Sequence, residues 1–431
     1  SNSGELFDRR NARGEMRVPA GLGDLTLRVH PALSFFAASL IAALPVHAFA
    51  QDIERNVSVR DRARPDFDPL GLRFGAFQLD ASVDFSATQT DNLFATETNE
   101  QSDLFFTVAP RARLASTWSR HEVAFEAGGA TSSHQDFSSE DATTSYVGAE
   151  GRLDIGRDSL LRVGARHSQE IEPRTDPDAL IANAPFEFAR TAYWGEAQHT
   201  FNRLRLRGRL ESVEYDYDDV GALDQDFRDA TDHIASVRGD FEVAPRVGIL
   251  LQAIADERDY HNAPTQGSEG RTYLAGVSIN FTDLMYGELS VGQYERDYNF
   301  GRSFDGVAVA GHLEWYITQL TTLNFHANRS VQDAGGTVGS PYVQTEYSAR
   351  IDHELQRNLI LTAGVAAGQH DYEVLNRTDD YVRADTGVDY LLNRRVVLFG
   401  RYRFDSLESD GADRYRDFDV NAFTLGVRLR L

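Results

Sequence analysis

Apolar and polar residues alternate one by one along much of this chain. The pattern is cleanest at its end, "NAFTLGVRLRL", where Phe423, Leu425, Val427, Leu429 and Leu431 share one face and Thr424, Gly426, Arg428 and Arg430 the other. A period of two marks an extended strand, because successive side chains leave opposite faces of a sheet. The same holds in "LRLRGRLES", with Leu204, Leu206, Gly208 and Leu210 opposed to Arg205, Arg207, Arg209 and Glu211, and in "VGILLQAIADER", "RTYLAGVSINF" and "LILTAGVAAGQH". From Phe77 onward such segments run for roughly 11 to 15 residues each.

What separates the segments is as regular as the segments themselves. Tight-turn signals stand at Thr117 ("TWSRH"), Gly156 ("GRDS"), Phe201 ("FNRL"), Ala244 ("APRV"), Phe281 ("FTDL"), Ile317 ("ITQL"), Leu355 ("LQRN") and Leu392 ("LNRR"). Between them lie polar loops such as "ATETNEQSD", "DYDDVGALDQDFRDA" and "DAGGTVGSP". A repeating unit of one hairpin plus one long loop predicts about 18 antiparallel strands, with 16 as the alternative. Strands in soluble sandwiches average about 5 to 6 residues, whereas about 9 to 11 tilted residues cross a bilayer with the apolar face outward. The expected fold is therefore all-β: a transmembrane, up-and-down, antiparallel β-barrel with short periplasmic turns and longer extracellular loops. The last strand is read as the one that closes the cylinder, since closure leaves no unpaired backbone in lipid.

Aromatic residues fit two headgroup-level girdles. Tyr217, Tyr260, Tyr298, Tyr372, Tyr381 and Tyr415 sit where strands meet long loops, and Trp118, Phe201, Phe281, Trp315 and Tyr316 near the tight turns.

Composition narrows the function classes. The net charge of −23 argues against a phosphate-neutralising surface, so nucleic acid is not an expected partner. The absence of cysteine removes disulfides, thiolate metal sites and a lipoprotein anchor. All 43 basic residues are arginine, through either a codon bias or a demand for planar, bidentate donors. Arg28, the apolar run from Ala32 to Val46 and Ala48-Phe49-Ala50 form a secretory signal pattern, with cleavage expected after Ala50. The expected organisation is residues 1–50 as upstream residues plus signal peptide, 51–76 as a periplasmic leader and 77–431 as the barrel. Pro69 and Gly71 break regular structure in the leader, which either lies across the periplasmic mouth or leads into the first strand. A chain of this length is too short for a plug plus a 22-stranded barrel, and about 26 residues ahead of the barrel leave no passenger domain.

"RPDFDPLGLRFGAFQL" (Arg64 to Leu79), "DNLF" at Asp91, Ser102-Asp103 and "WSRH" at Trp118 together resemble the outer-membrane family described as putative β-barrel porin 2. The resemblance spans the mature chain, with its specific motifs between residues 60 and 125. It implies an outer-membrane channel in a Gram-negative bacterium and, as cargo, an exopolysaccharide or capsular polymer handed over by periplasmic export proteins. A general diffusion porin, or a non-conducting barrel acting through its loops as an adhesin or enzyme, are the alternatives, because fold does not fix function. Thr424, Gly426, Leu429 and Leu431 similarly resemble a C-terminal insertion signal read by barrel assembly machinery; lipid and lipopolysaccharide are the other expected partners.

Alternation also nominates a pore lining. Arg113, Arg205, Arg207, Arg209, Glu211, Arg401, Arg403, Asp405, Arg428 and Arg430 are expected to face water, since midplane cations on lipid cost about 2–4 kcal/mol each. The loop from Ile171 to Phe188, stiffened by Pro173, Pro177 and Pro185, is expected to fold into the mouth as a constriction. No "GxSxG" or "HExxH" spacing occurs, so no catalysis, metal or cofactor is expected. His312, His326 and His370 read as ordinary wall residues. The acidic run Glu214–Asp219 reads as a solvated loop, with calcium as the sharper alternative.

Overall fold

In the computed structural model, residues 57–177, 179, 182–333 and 340–431 are described. The segment expected to be a signal peptide, with its expected cleavage site, lies outside them.

A three-residue strand, β1 (Leu72–Phe74), precedes eighteen long ones. These are β2 (Phe77–Thr90), β3 (Asp103–Ser116), β4 (Glu122–His134), β5 (Ala142–Ile155), β6 (Ser159–Ile171), β7 (Glu187–Phe201), β8 (Leu204–Tyr217) and β9 (Ala230–Ala244). There follow β10 (Val247–Tyr260), β11 (Ser268–Thr282), β12 (Met285–Tyr298), β13 (Arg302–Thr318), β14 (Thr321–Asp333) and β15 (Pro341–Gln356). The last four are β16 (Leu359–Tyr372), β17 (Thr378–Leu391), β18 (Val396–Asp410) and β19 (Phe418–Arg430). Each long strand pairs antiparallel with its sequence neighbours, and β19 returns to β2 from Ala422↔Thr90 to Arg430↔Ser82, which closes the cylinder. All eight tight-turn signals fall at the short connections. Asn202 (φ 53°) and Arg246 (φ 74°) take the left-handed backbone that two-residue hairpins require.

Closure leaves the lower edge of β2 beyond the reach of β19, because strands in a barrel are staggered. β1 covers it, pairing Leu72↔Leu79 and Phe74↔Phe77. Gly426 is required at the seam for packing: a Cβ there would lie 2.3 Å from the ring of Phe399, which crosses the inner wall over it.

The alternation sorts the faces as expected. Leu210 (67 % exposed), Leu251 (64 %), Val237 (61 %) and Leu425 (73 %) point outward with Leu429 and Leu431, and their strand neighbours of opposite parity point inward. The lower girdle of Trp118, Phe201, Phe281 and Trp315 is outward and exposed.

The upper girdle is a correction. Tyr260, Tyr298, Tyr372 and Tyr381 have the inward parity of their strands. Tyr298, Tyr372 and Tyr381 are buried, and Tyr217 lines the lumen. Tyr316, assigned to the lower ring, is also buried inside. Guanidinium groups hold these phenols inside, with Arg228 4.1 Å from the ring centre of Tyr217, Arg377 4.3 Å from Tyr372 and Arg383 4.5 Å from Tyr381. Tyr193, Tyr273 and Tyr347 are exposed on the outer face of the wall.

One part of the wall departs from a plain cylinder. β13 runs up to Arg302, yet its pairing with β14 stops at Val309↔Arg329, while β14 and β15 stay paired up to Asp333↔Pro341. Above that point the β14–β15 hairpin leans inward. Val331 and Val343 pack against the inner face of the wall at Leu274, Tyr294 and Ala308.

Candidate functional site: the lumen

Every sequence-nominated wall residue has the inward parity of its strand. At the seam, Asp84 accepts two hydrogen bonds from Arg428 (2.7 and 2.8 Å) and one from Arg111 (2.5 Å). Arg401 pairs with Asp389 at 2.6 Å, Arg403 with Asp405 at 3.0 Å and Arg113 with Glu122 at 2.9 Å. Arg430 donates instead to the carbonyls of Phe67 and Asn393. On β8, Arg209 reaches Glu211 at 2.8 Å and lies 4.7 Å over the ring of Trp194. Arg207 stands opposite Gln198 and Arg238 in register, with no carboxylate bonded to it among the described residues. Charge-assisted pairing of this kind fixes rotamers and cancels most of each partner's distant field.

Several inner pairs escaped sequence reasoning. Arg238 bridges Asp240 (2.6 Å) and Glu288 (2.8 Å), Arg162 meets Glu196 (3.0 Å) and Arg166 meets Glu126 (2.6 Å). Parity alone would have found them, since Val237 and Phe241 are outward and Arg238 and Asp240 lie between.

Three segments narrow the bore. At the short-turn end the leader lies against the inner wall rather than merely leading into β2. The Val59 amide donates to Thr322 Oγ1 (3.0 Å), Arg60 donates to Asp352 (2.8 Å) and Thr362 (2.8 Å), and Arg64 donates to Glu354 (2.9 Å). Its far end is held through the carbonyls of Pro65 and Phe67 by Arg394 and Arg430.

At the long-loop end, the described residues of the segment 172–186 reach the loops that flank β17 and β18. Arg377 donates to the Pro177 carbonyl (2.8 Å), Arg416 to those of Arg174 (2.7 Å) and Asp176 (3.0 Å), and Tyr415 to that of Ala179 (3.2 Å). Arg174 is tied to Glu140 at 2.7 Å and Arg228 to Glu172 at 2.5 Å. Pro173 lines the cavity beneath, Pro177 is buried, and half-buried Pro185 precedes the buried Phe186. Burial alone would lower the pKa of Arg228, but facing Tyr217 and Glu172 carries it above the usual arginine value. Burial pushes Arg416 below that value. The third segment is the β14–β15 hairpin, whose Asp333 bonds Tyr298 and Arg296 and lies 3.6 Å from Arg258.

The loop after β6 and the β14–β15 hairpin bound a vestibule of about 860 Å³, lined by Arg166, Arg190, Tyr215, Arg258, Tyr294 and Tyr342 among others. Inside the wall, the His312 and His326 rings stack 4.6 Å apart and His370 is buried. Of the acidic run Glu214–Asp219, Asp219 joins Asp224 and Asp226 in an exposed cluster on the loop after β8, with ligand atoms within 4.8 Å of one another.

Among solved structures the chain is similar in fold to OccK2 (OpdF) of Pseudomonas aeruginosa. Identity is 13%, the match covers 82% of this chain and 98% of that one, and the TM-score is 0.47. OccAB3 of Acinetobacter baumannii and a BenF-like porin of Pseudomonas fluorescens match at 12% identity, each over 83% of this chain and 100% of theirs, with TM-scores of 0.47. No curated protein matches the sequence. The profile of one family does, over residues 64–431, the whole barrel and the part of the leader next to it. With its closed cylinder of eighteen strands, its apolar exterior and its charged lumen, the chain belongs to the outer-membrane β-barrel family described as putative beta-barrel porin 2.

Proposed function

We propose that this porin is a passive diffusion channel for small polar solutes, with a preference for anions set at the Arg205–Arg207–Arg209 tier. The observation behind it is a polar bore into which three segments fold, the leader at the short-turn end and the loop after β6 and the β14–β15 hairpin at the long-loop end. A small hydrated solute needs only the gaps between these segments. A polymer strand needs a continuous wide bore, so the export reading requires all three to swing out together. For that reason polymer export, implied by resemblance, ranks second. Placement in a Gram-negative outer membrane after signal cleavage near Ala50, insertion by barrel assembly machinery and contact with lipopolysaccharide all follow from the same reading.

The anion preference rests on few residues because most inner guanidinium groups already face carboxylates. Arg207 has none bonded to it among the described residues and carries most of the preference; Arg205, opposite Asp240, and Arg209, paired with Glu211, flank it on the same strand. Changing all three to Gln is expected to leave a folded, heat-modifiable barrel. In a salt gradient its anion-to-cation permeability ratio should fall at least about twofold, a modest change for charges acting across water-filled space. An unchanged reversal potential would remove this tier as the selectivity element.

A further inference from the structure

The net-acidic chain carries a basic rim. Its eight short connections hold Arg120, Arg157, Arg203, Arg246, Arg357, Arg394 and Arg395, against only Asp158 and Asp283. The opposite rim is acidic, with five aspartates to one arginine in the loop 218–229 alone. Six of the seven rim arginines are exposed; Arg394 is half-buried. Arg246 pairs with Asp283 of a neighbouring turn (2.7 Å), Arg120 donates to the Asp154 carbonyl (3.0 Å) and Arg394 to that of Pro65. The side chains of Arg157, Arg203 and Arg395 have no partner among the described residues.

Two features identify what this rim meets. Apolar side chains stay exposed right beside the arginines, with Trp118 at 46 %, Phe201 at 54 %, Leu355 at 52 %, Leu392 at 50 % and Leu320 at 43 %. Lipid contact thus reaches the turns, and the guanidinium groups sit at headgroup level. The arginines also come from six of the eight connections, around most of the circumference. A docked protein would select one patch, whereas a leaflet meets the whole ring.

We infer that the short-turn rim binds the phosphates of anionic phospholipids, of the phosphatidylglycerol class, in the leaflet it contacts. Planar guanidinium forks match phosphate oxygens, and a negative surface attracts each basic residue within a Debye length. The ring would anchor the barrel at a fixed depth from below while the aromatic belt fixes it from the side.

Tryptophan fluorescence tests this directly. Trp118 and Trp315 lie outward near the short turns, while Trp194 faces the lumen and contributes a constant background. The full barrel is reconstituted in phosphatidylcholine bilayers containing either brominated phosphatidylglycerol or brominated phosphatidylcholine. The anionic lipid is expected to be enriched around the native protein about threefold, and the enrichment to vanish near 0.5 M salt. In the variant R157Q/R203Q/R246Q/R395Q it should fall to unity, while lysine at the same four positions restores it; heat-modifiable mobility confirms folding of each. Equal quenching by the two lipids in the native barrel, or enrichment that survives in the Gln variant, overturns the inference.

Discussion

Replacing Asp333 by Ala is expected to raise single-channel conductance at least about twofold and to admit larger solutes, while the barrel stays folded. Asp333 sits at the tip of β14, where its carboxylate bonds Tyr298 and Arg296 and lies 3.6 Å from Arg258. Removing one partner from a buried ionic cluster costs about 3–5 kcal/mol. The hairpin's other hold is the burial of Val343, worth about 1.5–3 kcal/mol, and the partial burial of Val331, worth less. Losing the first leaves a contact too weak to keep the end of β14 folded in at all times, because among the described residues no ladder joins it to β13 above Val309. Asp333→Glu keeps the charge and should keep the native conductance. A folded Asp333→Ala barrel with native conductance would show that the hairpin does not limit the bore.

Changing Leu429 and Leu431 together to Asp is expected to abolish folded protein in the membrane. Both side chains point outward, at 45 % and 47 % exposure, on the strand that closes against β2. Leu429 stands opposite Val83, and the Leu431 amide donates to the Ala81 carbonyl. Cations on a lipid face cost about 2–4 kcal/mol at the midplane and acids less, so the thermodynamic cost alone would leave some barrel. Failure to close leaves two strand edges unpaired in lipid, which no barrel tolerates. If the terminus also serves as an insertion signal, little protein reaches the closure step. Near-native amounts of heat-modifiable band in the double mutant would contradict both the register and the signal.

Much of this architecture was legible in the sequence because a barrel wall is a local code. Alternation fixed which way Leu210 and Arg209 point, and turn residues fixed where each hairpin reverses. The inward tyrosines were missed by choosing residues for their position at strand ends and ignoring parity. Tyr260 lies an odd number of residues from Leu251 and so could not share its face. The inward hairpin left a similar trace: Arg329 and Asp333 share the parity of Leu323 and Phe325, which a straight wall strand would force into lipid. The leader left none. Arg60 and Arg64 find Asp352 and Glu354 some 290 residues away in the chain, and nothing local announces such a pairing.

A polar channel narrowed to small-solute size has a sharp size cut-off. Liposome swelling with the purified barrel, run through a series from monosaccharides to dextrans, measures that width. Rapid swelling in monosaccharides that falls to background for solutes beyond a few sugar units is the predicted result. Swelling that persists with long dextrans, or none with any solute in a demonstrably folded barrel, would contradict it.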